Sequence, residues 1–185
     1  MAVPNPRQRL SIDEFYRLAE AGAFGEDQRV ELIRGEIVEM SPIGDRHALC
    51  VMLVGDLLSD LRPKGILSPQ NPLRLPGQES VPQPDVVLLR RRSDFKSRPP
   101  RPADAFLVIE VADSSLAHDR DVKIPLYAEA GIPEAWLVDL NSETIFVYRR
   151  PSHGSYKEIR QYRRGDRICP AAFPHVRFPV DSILG

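Results

Sequence analysis

Apolar positions recur at helical spacing in three stretches of the chain, with short dense apolar runs between them. Ile12, Phe15, Leu18 and Ala19 share one face of a segment that opens on Ser11-Ile12-Asp13-Glu14. That opening is a capping box: Ser11 caps and Glu14 reaches back. It predicts a short helix to Ala21, ended by Gly22. Leu49, Met52, Leu53, Leu57 and Leu61 repeat in the same way over residues 45–61, the longest predicted helix, closed by Pro63. A third helix is predicted over residues 119–130, ending at Gly131 and carrying Pro125 about two turns in, where it can kink the helix.

The runs between read as strands. Residues 30–33 and 36–40 flank the two-residue link Arg34-Gly35, which predicts a hairpin stopped by Ser41-Pro42. Residues 66–67 and 73–75 are short strand candidates among prolines. Residues 85–89 and 105–111 follow, separated by a charged, proline-rich loop over 90–103. The second of these is nearly continuous hydrophobe, as a strand buried on both faces should be. Residues 135–139 and 144–148 flank Asn141-Ser142 as a second hairpin, and residues 156–162 and 177–180 add edge strands. This order predicts an α/β fold: a mixed central sheet flanked by helices, with an N-terminal hairpin and extra C-terminal strands. No repeat or linker interrupts the 185 residues, so one domain over 1–185 is expected, with its core over roughly 11–180.

Composition narrows the partners. Lys+Arg (25) and Asp+Glu (26) nearly cancel, so any nucleic-acid binding must use a local patch. The 42% hydrophobic content is that of a globular protein, and no apolar run approaches the ~20 residues of a membrane span. Residues 1–7 hold no apolar signal core, and Cys50 and Cys169 offer neither metal-ligand spacing nor a disulfide framework. A cytoplasmic location without membrane attachment is the expectation. The 18 prolines, about twice the usual share, argue for stiff loops.

Candidate chemistry lies in the middle of the chain. Asp85 opens one apolar run, Glu110 sits within the next, and Lys123 follows on a predicted helix. Two carboxylates on adjacent strands can hold one hard cation such as Mg²⁺, and a nearby ammonium can orient water or offset charge on a phosphate. Register decides whether the two meet. An unpaired Glu110 would cost several kcal/mol, so it needs a cation, a metal or a proton. The blander alternatives are a strand-start residue for Asp85 and a buried arginine pair for Glu110. Asp119, Lys123 and Tyr127 share a helix face, which by itself would be a surface Asp–Lys pair with Tyr127 on the core edge. Glu31 and Glu36 on the hairpin are further acidic candidates, or ordinary exposed strand glutamates. His47 opens the long helix, facing a cleft or simply occupying its first turn. His118, His153 and His175 lack ligand spacing and receive no role. Arg90, Arg91, Arg92, Lys96, Arg98 and Arg101, with only Asp94 against them, form a basic loop after the Asp85 strand. It is a source of phosphate contacts or a solvated loop. Trp136 and Tyr148 read as core or edge packing rather than base-stacking platforms.

Taken together, Pro84-Asp85-Val86-Val87, Ile109-Glu110-Val111, Asp119-x-x-x-Lys123-x-x-x-Tyr127 and the block Ala130-Gly131-Ile132-Pro133-Glu134-Ala135-Trp136-Leu137-Val138-Asp139 resemble the restriction-endonuclease-like family of the PD-(D/E)XK nuclease superfamily. The run Glu31-Leu32-Ile33-x-Gly35-Glu36-Ile37-Val38-x-Met40-x-Pro42 matches that family's hairpin, and His47 its first long helix. The resemblance implies a restriction-endonuclease-like core and metal-dependent hydrolysis of DNA phosphodiesters. It implies that Asp85 and Glu110 ligate Mg²⁺ or Mn²⁺, aided by the Val111 carbonyl, and that Lys123 is the catalytic lysine. Glu31, or Glu36 in its stead, would complete the metal shell or orient Lys123. His47 and Tyr127 would be accessory, and Arg90, Arg91, Arg92 and Lys96 would touch phosphates. Restriction-like nucleases often dimerise, so a homodimer is compatible. One departure stands out: the superfamily's E-x-K lysine falls on Ala112 here, and the following helix must supply it. The competing class is a catalytically inactive module binding nucleic acid or protein, which near-neutral charge and Ala112 favour. A cleft in which Asp85, Glu110 and Lys123 form a closed salt-bridge network would mark it, as would failure to bind a divalent ion. A Ser–His hydrolase has little support: Ser114-Ser115 lie near His118, but no G-x-S-x-G turn exists.

Overall fold

The computed structural model describes residues 9–25, 28–95 and 97–185. Helix α1 spans Ile12–Glu20 and starts on the expected capping box, with Ser11 and Glu14 bonded reciprocally. Strands β1 (Val30–Ile33) and β2 (Glu36–Glu39) pair antiparallel around Arg34 and Gly35. Both turn residues have positive φ, as a tight hairpin of this hand requires. A Cβ on Gly35 would lie 2.7 Å from Cβ of Arg9, so glycine is needed there for space as well as for φ.

Helix α2 spans Asp45–Leu57 and tightens into a 3₁₀ turn over Leu58–Leu61, matching the predicted end. A central sheet of six strands follows, in the order β3-β4-β5-β6-β7-β8. Its strands are β3 (Gly65–Pro69), β4 (Val86–Arg90), β5 (Ala105–Ala112), β6 (Glu134–Asp139), β7 (Thr144–Ser152) and β8 (Ser155–Arg163). β5 and β6 run parallel, and every other neighbouring pair runs antiparallel. A parallel pair needs a long crossover. Here it is helical: α3 (Leu116–His118), a π-helical turn (Asp119–Lys123) and α4 (Ile124–Glu129).

Sheet faces alternate as pleating demands. Val86, Leu88, Leu107, Ile109, Val111 and Trp136 pack on the α2 side with Cys50, Val54 and Leu58. Val87, Leu89, Val108, Ala112 and Leu137 pack on the α4 side with Ile124, Leu126 and Tyr127. Helices therefore cover both faces of a mixed sheet, the architecture the sequence predicts. A smaller cluster of Ile12, Phe15, Leu32 and Val81 ties α1 to the hairpin.

Three expectations change. Residues 73–75 form no strand; Leu75 makes only an isolated bridge to Ser80. The C-terminal strand β10 (Phe178–Pro179) pairs with β9 (Arg167–Ile168) in a separate ribbon rather than extending the main sheet. The third helix begins earlier and contains the π turn. Pro125 has no N–H for the carbonyl of Asp121, and its ring would crowd that group; the wider turn removes the conflict. Among the described residues no helix is long and apolar enough to cross a membrane.

Candidate active site

Register brings the two carboxylates together. β4 and β5 are antiparallel with Val86 opposite Ile109, so Asp85, just ahead of β4, comes opposite Glu110. Both Asp85 oxygens are engaged. The Val111 N–H donates to Oδ2 at 2.8 Å, and Nε2 of His47, in the first turn of α2, lies 3.0 Å from Oδ1.

Glu110 points to the α4 side of β5, where the π turn and α4 present Lys123 and Tyr127. Lys123 Nζ lies 3.2 Å from Oε1 and 3.3 Å from Oε2, and the Tyr127 hydroxyl donates to Oε1. Lys123 also lies 2.9 Å from Oε1 of Glu31 and 3.9 Å from Oδ1 of Asp119. The Gln83 N–H donates to Glu31, and the Ser115 hydroxyl donates to Asp119. Lys123 is only 4% exposed, and Glu31 and Glu110 only 2% each. The Asp119–Lys123 pair is therefore not a surface pair, and the cation on Glu110 is a lysine rather than an arginine. Ser115 orients Asp119 and is not poised as a nucleophile beside His118.

Three carboxylates thus crowd one fixed ammonium, with Asp85 nearby, and the proton affinities of the group show it. Burial pushes the Glu110 carboxyl well above its ordinary value; Lys123 pulls it back, while Asp119, Asp85 and Glu31 push it further. Burial likewise raises Asp119, against Lys123 and the Ser115 hydroxyl. Burial alone would lower the Lys123 ammonium, but Glu110, Glu31 and Asp119 outweigh it and hold the proton more tightly than usual. Burial, reinforced by Glu110 and Glu31, raises the Tyr127 phenol. The hydrogen bond to Asp85 raises the His47 imidazole against the opposing effect of burial.

All of these groups but Tyr127 line a cleft of about 400 Å³, together with Val38 to Gly44 from the hairpin side and Ser114, Ser115 and His118 from the start of the crossover. Val111 lines it too, at the end of β5. Among the described residues no group of three or more His, Cys, Asp or Glu side chains is gathered as a ready metal cage. The candidate donors are instead the hard carboxylate oxygens of Asp85 and Glu110, which the β4–β5 pairing brings opposite each other. Mg²⁺ commonly keeps several waters and takes one or two carboxylates, so that set suits it.

Other sequence candidates lie elsewhere. Glu36 is exposed at the start of β2 and does not line the cleft. The arginine loop sits at the far end of β4 from Asp85. Arg90 stacks on Phe106 at 4.2 Å, Arg91 donates to the carbonyls of Arg62 and Gly65, and Arg92 lies between Asp94 and Asp104. None of these three arginines lines the cleft; their guanidinium groups are committed to carbonyls, acids and a ring at that far end. Lys96 falls outside the described residues. Trp136 is core, its indole N–H donating to Glu134. The sequence reading passed over His118 and Arg29, both of which line the cleft. The proximity of His118 to Asp119 was the available signal.

No curated protein matches this chain. In fold it is similar to the crystal structure of a "putative nuclease belonging to DUF820" from Anabaena variabilis ATCC 29413, with a TM-score of 0.69. That match has 16% identity and covers 95% of this chain and 97% of the other. At that identity the likeness speaks for the fold, a nuclease fold. The model of the Uma2 family, described as "Putative restriction endonuclease", matches residues 12–181. Spanning nearly all of the sequence, that match shows that the chain belongs to the Uma2 family.

Proposed function

We propose that this protein is a metal-dependent endonuclease that hydrolyses phosphodiester bonds in DNA. The observation that carries the reading is the buried Lys123–Glu110 contact set beside Asp85 at the floor of one cleft. Mg²⁺ or Mn²⁺ would be held by Asp85, Glu110 and the Val111 carbonyl, and when bound would supply Lewis acidity at the phosphate and an activated water at neutral pH. The chain's own groups do the rest. Lys123, kept charged by its carboxylates, orients the attacking water and offsets charge building on the phosphoryl oxygens as the water O–P bond forms and the opposite P–O bond breaks. Glu31 and Asp119 hold the Lys123 ammonium in place. Tyr127 fixes the rotamer of Glu110 from beneath, and His47 with the Val111 amide fixes the carboxylate plane of Asp85. A homodimer would present two clefts to a duplex.

A specific observation also favours the inactive interaction module: Lys123 is already closed on Glu110 and Glu31. Asp85, bonded to His47 instead, stands outside that closure. The discriminating experiment is cleavage of plasmid and single-stranded DNA in Mg²⁺ or Mn²⁺, against EDTA, for wild type, Asp85→Ala and Glu110→Ala. Metal-dependent cutting lost in both variants supports the nuclease. A wild type that neither cuts nor gains thermal stability from either ion moves the reading to the module.

A further inference from the structure

The cleft floor is rich in negative charge, and its one fixed ammonium already faces three carboxylates. A phosphodiester entering it needs hydrogen-bond donors that the network has not committed. The arginines at the end of β4 do not provide them.

Unpaired buried atoms point to where such donors are. Among the described residues, the buried side-chain polar atoms without a hydrogen-bond partner are Nδ1 of His47, Nε2 of His118 and two nitrogens of Arg92. The Arg92 nitrogens each lie 3.3 Å from a carboxylate, of Asp94 or Asp104. Only the two imidazole nitrogens are left with neither hydrogen bond nor ion pair, and both histidines line the same cleft. An unpaired buried polar group costs about 1–3 kcal/mol, so two of them on residues lining one cleft call for partners that the chain itself does not supply. His47 has a task already through its other nitrogen, which holds Asp85. His118 has none in the chemistry above.

We propose that His118 is a phosphate-binding residue of this cleft, its Nε2–H donating to a non-bridging oxygen of the bound phosphodiester. Imidazole suits the position. An arginine or lysine beside Asp119 would be drawn into the carboxylate network, whereas the shorter imidazole leaves its Nε2 outside those contacts. It is the last residue of α3, next to Asp119, and lines the cleft together with residues of the hairpin. The identity of the ligand as a phosphodiester rests on the nuclease reading; the phosphate-binding character rests on the cleft alone.

The test follows histidine ring resonances by NMR while inorganic phosphate, and then a short single-stranded oligonucleotide, is added to the metal-free protein. The His118 signal is the one missing in His118→Gln. It should shift saturably, while the exposed His153 and His175 do not follow. In cleavage assays His118→Ala should raise KM roughly tenfold or more with a smaller change in kcat, and His118→Gln, which keeps an N–H donor, should recover part of the loss. A protein that cuts DNA while the His118 ring ignores phosphate overturns the inference and leaves the nuclease reading standing. A saturable His118 shift in a protein that never cuts keeps the phosphate site and removes the nuclease. Neither shift nor cutting removes both.

Discussion

Glu134 and Glu110 are buried glutamates on neighbouring strands of one sheet, and their surroundings are opposites. Glu134 faces one guanidinium, with Arg149 at 2.8 Å, and takes further bonds from the Trp136 indole at 2.8 Å and the Ala171 amide at 2.5 Å. One charge meets one charge, both oxygens are used, and the network ties β6 to β7 and to the C-terminal segment. Glu110 shares a single ammonium with Glu31 and Asp119, and Asp85 stands nearby with an imidazole and the Val111 amide but neither lysine nor arginine. The lesson is that burial of an acid does not distinguish a structural pair from a working site; the count of charges around it does. A balanced pair is complete. A site with surplus carboxylates is waiting for a cation, a proton or a ligand.

Substitution should separate the two most strongly. Glu134→Ala strands Arg149 and should cost about 3–5 kcal/mol in urea unfolding. Glu110→Gln removes one of several crowded carboxylates and should change stability by no more than about 1 kcal/mol. Equal losses would mean that both glutamates are structural, and the contrast would be gone.

Added cations sharpen it next. Mg²⁺ or Mn²⁺ at a hundredfold excess over its dissociation constant should stabilise the wild type by about 2.7 kcal/mol, seen as a raised melting temperature. Asp85→Ala should lose most of that rise, and Arg149→Ala should keep it. An undiminished rise in Asp85→Ala removes Asp85 from the ion site.

Protons should act on the surplus in the same sense. Glu110, Asp119 and His47 all have raised proton affinity in the folded state. A raised folded value contributes stability that is complete below the unfolded pKa and lost as pH climbs through the folded one. The metal-free protein should therefore melt higher as pH is lowered from about 8 toward 5. Below the ordinary carboxylate range the trend should reverse, because Glu14, Asp121, Glu143 and Asp181 bind protons less readily when folded. Stabilisation by Mg²⁺ should grow with pH over the same upper window, since the ion competes with those protons. Thermal melts from pH 5 to 8, with and without the ion, check both slopes; a flat metal-free profile would deny the crowding.

The smallest effect belongs to the arginine loop. Arg90→Ala and Arg91→Ala should leave KM for DNA within about twofold, because these side chains serve local packing, Arg90 on Phe106 and Arg91 on two carbonyls. A large rise in KM would return the loop to the phosphate contacts.

Much of this was legible in the residues. The Ser11–Glu14 box set the start of α1, helical periodicity set α2, and Arg34-Gly35 set the hairpin, because each signal is local. The acidic pair was visible as residue types, but its proximity was not: it depends on β4 and β5 pairing so that Asp85 falls opposite Glu110, a long-range fact. The π turn was hidden as well, although Pro125 announced a disturbance. The basic loop misled because a run of charges does not say where its guanidinium groups point, and Arg91 points back to Arg62 and Gly65. His118 was passed over because an unsatisfied nitrogen has no signature in sequence.

Lys123 is where the account is most exposed to test, since the superfamily position for lysine is Ala112 and the ammonium arrives from the crossover instead. The decisive measurement is the single-turnover cleavage rate of Lys123→Ala at saturating Mn²⁺, with metal-induced stabilisation measured on the same sample. The expected result is a rate reduced by roughly 10²–10³ while the ion still raises the melting temperature. Undiminished cutting by a folded, metal-binding Lys123→Ala would contradict it.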